Sequence, residues 1–222
     1  MSNPCVTLLE VLGLIVGIGA WFCSLAATIM PQWRSQSTEL LIIESFEVGL
    51  WETCVVHEVA GMECRPYESL LGLSHEIMLA RSLMCLSDAV GLLGIILLIP
   101  GLKQVKSCRW EGGWRVKRGL KIAAGVLFCI AGIMTLVPVS YMAHDMVMKF
   151  FDHSVPEVVP RFEFGDAIFV GWAAGFLHVV AAFLLFTSCI GMARAEPRLV
   201  FHRRQDEYKT TIGHSGKRTE YV

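Results

Sequence analysis

Charged residues are scarce in this chain. Only 18% of its 222 residues are Asp, Glu, Lys or Arg, against roughly 25% in soluble domains. Asparagine is scarcer still, because Asn3 is the only one and precedes proline, which excludes an N-glycosylation site. The sequence also lacks a phosphate-binding glycine loop, a metal-ligand motif and a catalytic triad. These absences argue against a soluble enzyme and predict neither a cofactor nor a metal site.

Hydrophobic residues make up 54% of the chain and are gathered into four long blocks. A helix needs roughly 20 apolar residues to cross a bilayer core of about 30 Å, and each block is long enough. The first block follows a segment without basic residues and is longer than the core of a usual signal peptide, so we expect it to be retained. We predict transmembrane helices at residues 8–30, 82–102, 120–142 and 167–192.

The segments between the blocks differ in charge. Residues 103–119 carry six basic residues and one acidic residue, whereas residues 31–81 carry eight glutamates and three arginines. Because basic segments stay in the cytosol, both chain ends are predicted to be cytosolic. The basic segments are better explained by topology and attraction to anionic lipid than by nucleic-acid binding. The predicted cytosolic segments are residues 1–7, 103–119 and 193–222, and the predicted extracellular loops are residues 31–81 and 143–166.

Two of the eight cysteines, Cys54 and Cys64, fall in a predicted extracellular loop, and no other cysteine does. An oxidising compartment and the lack of a second pair favour a disulfide over a metal site, which needs about four ligands. The stretch between them alternates in polarity and contains Gly61, which predicts a β-hairpin with Gly61 in or near the turn. The predicted fold is therefore an all-α transmembrane four-helix bundle with a small extracellular antiparallel β-sheet.

Three polar residues lie within or beside the predicted spans. Asp88 is expected to approach interfacial water, and His178 to be a neutral, hydrogen-bonded residue of the bundle. Glu10 is expected at the membrane interface. Small residues in the spans favour close helix packing, and they are Gly13, Gly17, Gly125 and Gly132.

An ordered set of residues in the first extracellular loop forms the pattern W…GLW…C…C…R. Its members are Trp33, Gly49, Leu50, Trp51, Cys54, Cys64 and Arg81. With LVPVSY at 136–141, FFDHSVPEVVPRFEFGDAIFVGW at 150–172 and a Tyr-Val end, the chain resembles the claudin family of tight-junction proteins. The resemblance implies a non-enzymatic, multi-pass plasma-membrane protein of the tight junction. Such proteins polymerise with other claudin-like protomers in one membrane, adhere between cells and control paracellular permeability.

The resemblance also implies roles for single residues. For Trp33, Gly49, Leu50 and Trp51, packing of the sheet onto the membrane surface is favoured over recognition between cells. Arg81 is expected to have a structural role at the end of the same loop.

Arg65 and Glu58 are implied to lie at the paracellular pore. An arginine there repels cations within a Debye length of about 8 Å, but the surrounding loop is acidic. The charges that line a narrow pore decide its selectivity, so Arg65 favours a cation barrier or a weak anion preference. A solvated surface arginine is the alternative.

Further roles are implied for the second loop, the tail and two cysteines. Contact between cells is assigned to Phe150, Phe151, Pro156 and Glu157. Asp152-His153 replaces the usual Asn-Pro of the family, which affects any partner preference of this loop. A PDZ scaffold is expected to bind Glu220, Tyr221 and Val222 by strand addition. Palmitoylation is assigned to Cys108 and Cys189.

Two other functions remain open at this point. One is a charge-selective, anion-leaning paracellular channel with Arg65 at its pore. The other is a four-span auxiliary subunit of another membrane complex, since such relatives share the GLW motif and the cysteine pair.

Overall fold

Four long helices dominate the fold. The computed structural model describes residues 4–37, 44–57, 61–69, 72–102, 113–151 and 162–216. All four helices contain a segment that is long and apolar enough to cross a membrane, which confirms the predicted bundle. They are α1 (Pro4–Ile29), α2 (His75–Gly101), α3 (Gly113–Phe150) and α4 (Asp166–Gly216).

The helices extend beyond the spans predicted from hydropathy. Helix α2 begins at His75 rather than at residue 82, and α3 runs from Gly113 to Phe150 rather than from 120 to 142. Helix α4 continues to Gly216 instead of ending at 192. Hydropathy identifies only the part of a helix that is apolar enough for lipid. A helix that continues into water keeps its backbone hydrogen bonds, but its polar residues do not raise the hydropathy.

An antiparallel five-stranded sheet caps one end of the bundle, which we call the sheet end. The strand order is β4-β3-β2-β1-β5. Strand β5 comes from the loop before α4 and pairs Glu163 with Ser35 of β1. A two-residue strand is too short to show an alternation of polarity, so β5 could not be predicted from its own residues. The strands are β1 (Arg34–Ser37), β2 (Glu44–Val48), β3 (Glu52–His57), β4 (Gly61–Pro66) and β5 (Glu163–Phe164).

Helices α1 and α3 occupy opposite corners of the bundle, because each packs mainly against α2 and α4. Phe128 of α3 is fully buried at the centre. A Cβ at Gly17 would lie 2.8 Å from its ring, and a Cβ at Gly94 would lie 3.3 Å from it. These glycines therefore make room for one large side chain shared by several helices.

A second buried cluster joins the sheet to the helices. Trp33 and Leu50 are fully buried against Met84 of α2, Met142 of α3 and Ile168 of α4. The sheet is thus attached to several helices through one apolar core.

Candidate functional site

The β3–β4 hairpin carries the predicted disulfide. Cys54 and Cys64 are directly opposite partners in the two strands, and their sulfurs are bonded at 2.04 Å. Gly61 begins β4 with a φ of 85°, a left-handed conformation that glycine adopts at little cost. The structure thus confirms the hairpin, its covalent bridge and the position of Gly61 beside the turn.

The two tryptophans of the W…GLW pattern bind the end of α1. The last carbonyl groups of a helix have no partner within it. Trp33 Nε1 donates to Ala27 O at 2.9 Å, and Trp51 Nε1 donates to Thr28 O at 2.8 Å. Trp33 is fully buried, whereas Trp51 is 41% exposed. Both indoles therefore satisfy the end of the helix and fix the sheet to it.

Gly49 lies where the turn between β2 and β3 closely approaches the α1–β1 connection. A Cβ at this position would lie 2.5 Å from Pro31 Cα, so a side chain cannot fit without moving the backbone. Gly49 N also donates to Glu52 O at 2.9 Å, which closes the turn between β2 and β3. Lack of space beside Pro31 therefore explains why this position of the motif is a glycine.

Arg81 connects α2 to the same turn. Its Nε and Nη2 atoms donate to Leu50 O at 3.1 and 2.5 Å. The guanidinium lies 4.6 Å from the centroid of the Trp51 ring and 5.8 Å from that of Tyr67, within the range of a cation–π interaction. Tyr67, which the sequence analysis did not single out, donates from its hydroxyl to Gly49 O at 3.1 Å.

We call Trp33, Gly49, Leu50, Trp51 and Arg81 the motif cluster. Its contacts run from the sheet to α1 and α2, and two of its side chains are fully buried. This placement supports packing of the sheet as the role of the cluster, the interpretation that the sequence already favoured.

An ion network between β1 and helices α2 and α3 was not predicted. Arg34 of β1 contacts Glu76 of α2 at 2.5 Å and Asp145 of α3 at 3.3 Å. Lys149 contacts Asp145 at 2.7 Å and Glu76 at 3.5 Å. Only Asp145 and Lys149 are near in the sequence, four residues apart on α3, so no local pattern could reveal the contacts with Arg34 and Glu76. Arg34 is only 12% exposed, so its charge needs these carboxylates.

Arg65 lies on β4, where all six residues are exposed. It stands opposite Thr53 of β3. Strand β4 is at one end of the sheet order, and among the described residues no strand pairs with its outer edge. Arg65 is therefore displayed to solvent at a sheet edge, whereas Glu58, its predicted neighbour at the pore, lies outside the described residues.

An apolar groove of about 420 Å³ opens at the sheet end between α3, β5 and α4. Phe150 and Phe151, predicted for contact between cells, lie on its rim and are 39% and 68% exposed. We call this the aromatic groove, and it is lined by Met146, Val147, Phe150, Phe151, Phe162, Glu163, Phe164 and Phe169.

Several predicted site residues cannot be placed in this arrangement. Those that lie outside the described residues are Glu58, Cys108, Pro156, Glu157, Glu220, Tyr221 and Val222. Cys189 is described and is 4% exposed. Acylation needs an accessible thiol, so this burial weighs against palmitoylation at Cys189.

The carboxylate of Asp88, which is partly buried, accepts hydrogen bonds from helix α1. Ser24 Oγ and Thr28 Oγ1 donate to its carboxylate at 2.6 and 2.9 Å. His178 is fully buried and donates from Nδ1 to Ala174 O at 3.0 Å, as expected of a hydrogen-bonded bundle residue.

Glu10, which the sequence places near the start of the first span, has its side chain buried inside the bundle. Its side chain is 1% exposed and lies 2.6 Å from Lys121 Nζ, which is fully buried. Lys121 is the second residue of the third predicted span, and no local pattern connects it with Glu10, because the two residues lie 111 positions apart.

Comparisons with known proteins agree with this arrangement. Residues 7–185 match the PMP-22/EMP/MP20/Claudin family. The chain is similar to Claudin-3 of Rattus norvegicus, with 31% identity over 96% of this chain and 98% of that protein. It is also similar to Claudin-19 of Homo sapiens, at 34% over 82% of this chain and 81% of that protein. With Claudin-4 of Homo sapiens the identity is 33%, over 82% and 86%.

Proposed function

Because the chain belongs to the PMP-22/EMP/MP20/Claudin family and is a claudin-like multi-pass protein of tight junctions, we propose that its sheet end joins protomers within one membrane and between cells. It is a structural junction protein and not an enzyme. The observation that carries the proposal is a disulfide-bridged sheet fixed to the bundle by the motif cluster. A sheet held in one orientation presents the same surfaces on every copy, which a regular polymer requires.

The proposal requires the sheet end to face the outside of the cell and both chain ends to face the cytosol. The acidic loops and basic intervening segments support this orientation. Glu68→Cys places a thiol at an exposed position of the sheet end, and Arg115→Cys places one at the opposite end of α3. A membrane-impermeant maleimide is expected to label Glu68→Cys on intact cells and Arg115→Cys only after permeabilisation. The reverse pattern contradicts the orientation.

We propose the aromatic groove as a contact surface for another claudin-like protomer. Its lining is rich in phenylalanine and exposed, and aromatic residues are enriched at protein interfaces. Phe151 and Phe162 of the groove flank, in the sequence, the segment that contains Pro156 and Glu157. We propose that these two residues contribute to the same contacts.

Freeze-fracture microscopy of cells that lack tight junctions tests this function. Expression of the full chain is expected to produce continuous membrane strands, and Phe151→Ala is expected to shorten them or abolish them. Phe183→Ala is the matched control, because this ring is 66% exposed on α4 while that of Phe151 is 68% exposed. Absence of strands with protein at the cell surface overturns the proposed function. Equal loss with both variants overturns the role of the groove alone.

We propose that the tail binds a PDZ scaffold of the junction. The tail ends in Glu220, Tyr221 and Val222, and PDZ domains capture a terminal carboxylate together with the last side chain. A peptide of the last ten residues is expected to bind a PDZ domain in solution. The same peptide with Val222→Asp is expected to lose that binding, and equal binding by both peptides contradicts the proposal.

A further inference from the structure

The last two turns of α3, at the sheet end, have two faces with different partners. The apolar face carries Met146, Val147 and Phe150, which line the aromatic groove. The ionic face carries Asp145 and Lys149, which lie one helical turn apart and form an ion pair at 2.7 Å. Because both faces belong to the same turns of one helix, the contacts that hold the ionic face also position one wall of the groove.

Arg34 of β1 is connected to both walls of this groove. In the sheet it stands directly opposite Phe164 of β5, which belongs to the other wall. Directly paired residues project their side chains from the same face of a sheet, so Arg34 and Phe164 point to the same side. On that side, Nη2 of Arg34 lies 3.3 Å from the carboxylate of Asp145 on α3. One residue therefore links the β5 wall to the α3 wall.

The contacts of Arg34 differ from those of the second cation in the network. Arg34, Glu76 and Asp145 are mostly buried, whereas Lys149 is 62% exposed. Ion pairs that are partly buried are screened by salt less than pairs on the open surface. Glu76 attaches the same guanidinium to the first turn of α2. Lys149 bridges α2 and α3, and no ion pair of the described residues connects it to the sheet.

We propose that Arg34 is a positioning residue that fixes the spacing between the two walls of the aromatic groove, and thereby the fit of a second claudin-like protomer. This inference rests on the proposed role of the groove as a protomer contact. Without the guanidinium, the ionic face of α3 loses its ion pair with β1. Glu76 and Asp145 then have Lys149 alone to neutralise them. The spacing between the walls is then no longer fixed.

Spin labels measure this spacing in single protomers. Met148→Cys on α3 and Phe176→Cys on α4 place the labels at exposed positions outside the groove. They are introduced into a full chain whose cysteines outside the disulfide are replaced by alanine. Distances are measured by pulsed electron resonance on monomers in detergent, so they do not depend on polymerisation. Arg34→Gln and Asp145→Asn are each expected to broaden the distribution of distances.

Two controls separate this role from general stabilisation. Lys149→Gln removes a positive charge from the same network but leaves the contact between Arg34 and Asp145, and it is expected to leave the distances unchanged. Gly17→Ala crowds Phe128 at the centre of the bundle, and it is expected to lower the melting temperature without broadening the distances.

The double variant Arg34→Gln, Asp145→Asn is expected to broaden the distances no more than Arg34→Gln alone, because both changes remove the same contact. Unchanged distances with Arg34→Gln overturn the inference. Equal broadening with Lys149→Gln or with Gly17→Ala overturns it as well, because charge or stability would then suffice to explain the effect.

Freeze-fracture of cells with equal amounts of protein at the surface connects the spacing with the junction. The unmodified chain and Lys149→Gln are expected to form continuous strands, and Arg34→Gln is expected to lose them. Continuous strands with Arg34→Gln overturn the effect on protomer fit. Absence of strands with the unmodified chain overturns the proposed function instead, while the distances in monomers still decide whether Arg34 fixes the spacing.

Discussion

Trp33 Nε1 donates to the carbonyl oxygen of Ala27 at 2.9 Å, and both residues are fully buried. The residue that leads into the sheet thereby completes the end of the helix that precedes it. The hydrogen bond couples the orientation of β1 to that of α1. Disturbing this contact is therefore expected to affect the sheet and the bundle together.

Trp33→Phe removes the indole donor and keeps an aromatic ring in the core. The buried carbonyl group of Ala27 loses its partner, and this is expected to cost about 1–3 kcal/mol of unfolding free energy. Trp172→Phe is the control, because its Nε1 binds Ser140 Oγ at 3.3 Å at an exposed site, and we expect a change within about 0.5 kcal/mol. Thermal unfolding in detergent measures both. Equal shifts in the two variants contradict this explanation.

Gly49→Ala places a Cβ 2.5 Å from Pro31 Cα. The neighbouring atom belongs to the backbone and cannot rotate away, so we expect a loss of about 1–3 kcal/mol or more. Gly72→Ala is the matched control, since its Cβ would meet nothing within 4 Å. A melting temperature of Gly49→Ala equal to that of the control would show that the connection at Pro31 moves freely.

Arg81→Lys keeps the positive charge and loses the planar fork that binds Leu50 O. Lysine also stacks less well on an aromatic ring, so the contact with Trp51 weakens. We expect a loss of about 1.5–3 kcal/mol of unfolding free energy, as for hydrogen bonds to charged groups. Arg65→Lys makes the same change at an exposed site and is expected to leave the melting temperature unchanged. A neutral Arg81→Lys variant would mean that charge alone suffices at this position.

The double variant Cys54→Ser, Cys64→Ser removes the bridge between β3 and β4. Loss of a native disulfide typically costs about 2–5 kcal/mol, and the hairpin is expected to become accessible to protease. Cys85→Ser is the control, because this cysteine is free and exposed on α2. Unchanged protease resistance of the hairpin without its bridge would contradict the expected stabilisation.

Arg65→Asp reverses the charge that we propose to influence ion passage. Two units of charge acting at about 8 Å in water change the permeability of a cation by about sixfold, before screening by salt. The permeability of an anion changes by about the same factor in the opposite direction, so the ratio of the two changes by about thirtyfold. We expect the ratio of sodium to chloride permeability to rise in an epithelial layer, as measured by bi-ionic potentials. Arg115→Asp, the same substitution at an exposed position at the opposite end of α3, is the control. An unchanged ratio for Arg65→Asp removes Arg65 from the path of the ions.

The parts of the fold that the sequence predicts are those with local signals. Four apolar blocks give four helices, because lipid requires a continuous run of apolar residues. The hairpin is predicted from Cys54, Cys64 and Gly61. The two cysteines are ten residues apart and are expected to form a disulfide in an oxidising compartment, and the glycine between them favours a turn. The residues of the motif cluster were identified from the family resemblance. The structure explains why these residue types are needed, for example by the close approach of Gly49 to Pro31.

The parts that the sequence did not reveal depend on pairs of distant residues. The ion network joins Arg34 to Asp145, which is 111 positions away, and Glu10 reaches Lys121 over the same separation. In each pair, the residues around one charge contain no pattern that identifies its partner. A charge beside an apolar block is compatible with an exposed position or with a buried pair, and only the packing of the helices decides between them.

The pairing of β1 with β5 has a consequence for synthesis. Ser35 and Glu163 are neighbours in the sheet, yet a ribosome must translate more than half of the chain between them. The strands β1 to β4 can associate early, while the free side of β1 stays open until the last loop emerges. A late step of maturation therefore closes this side, and a ribosome that stalls before β5 leaves a nascent chain with an exposed edge that chaperones can recognise.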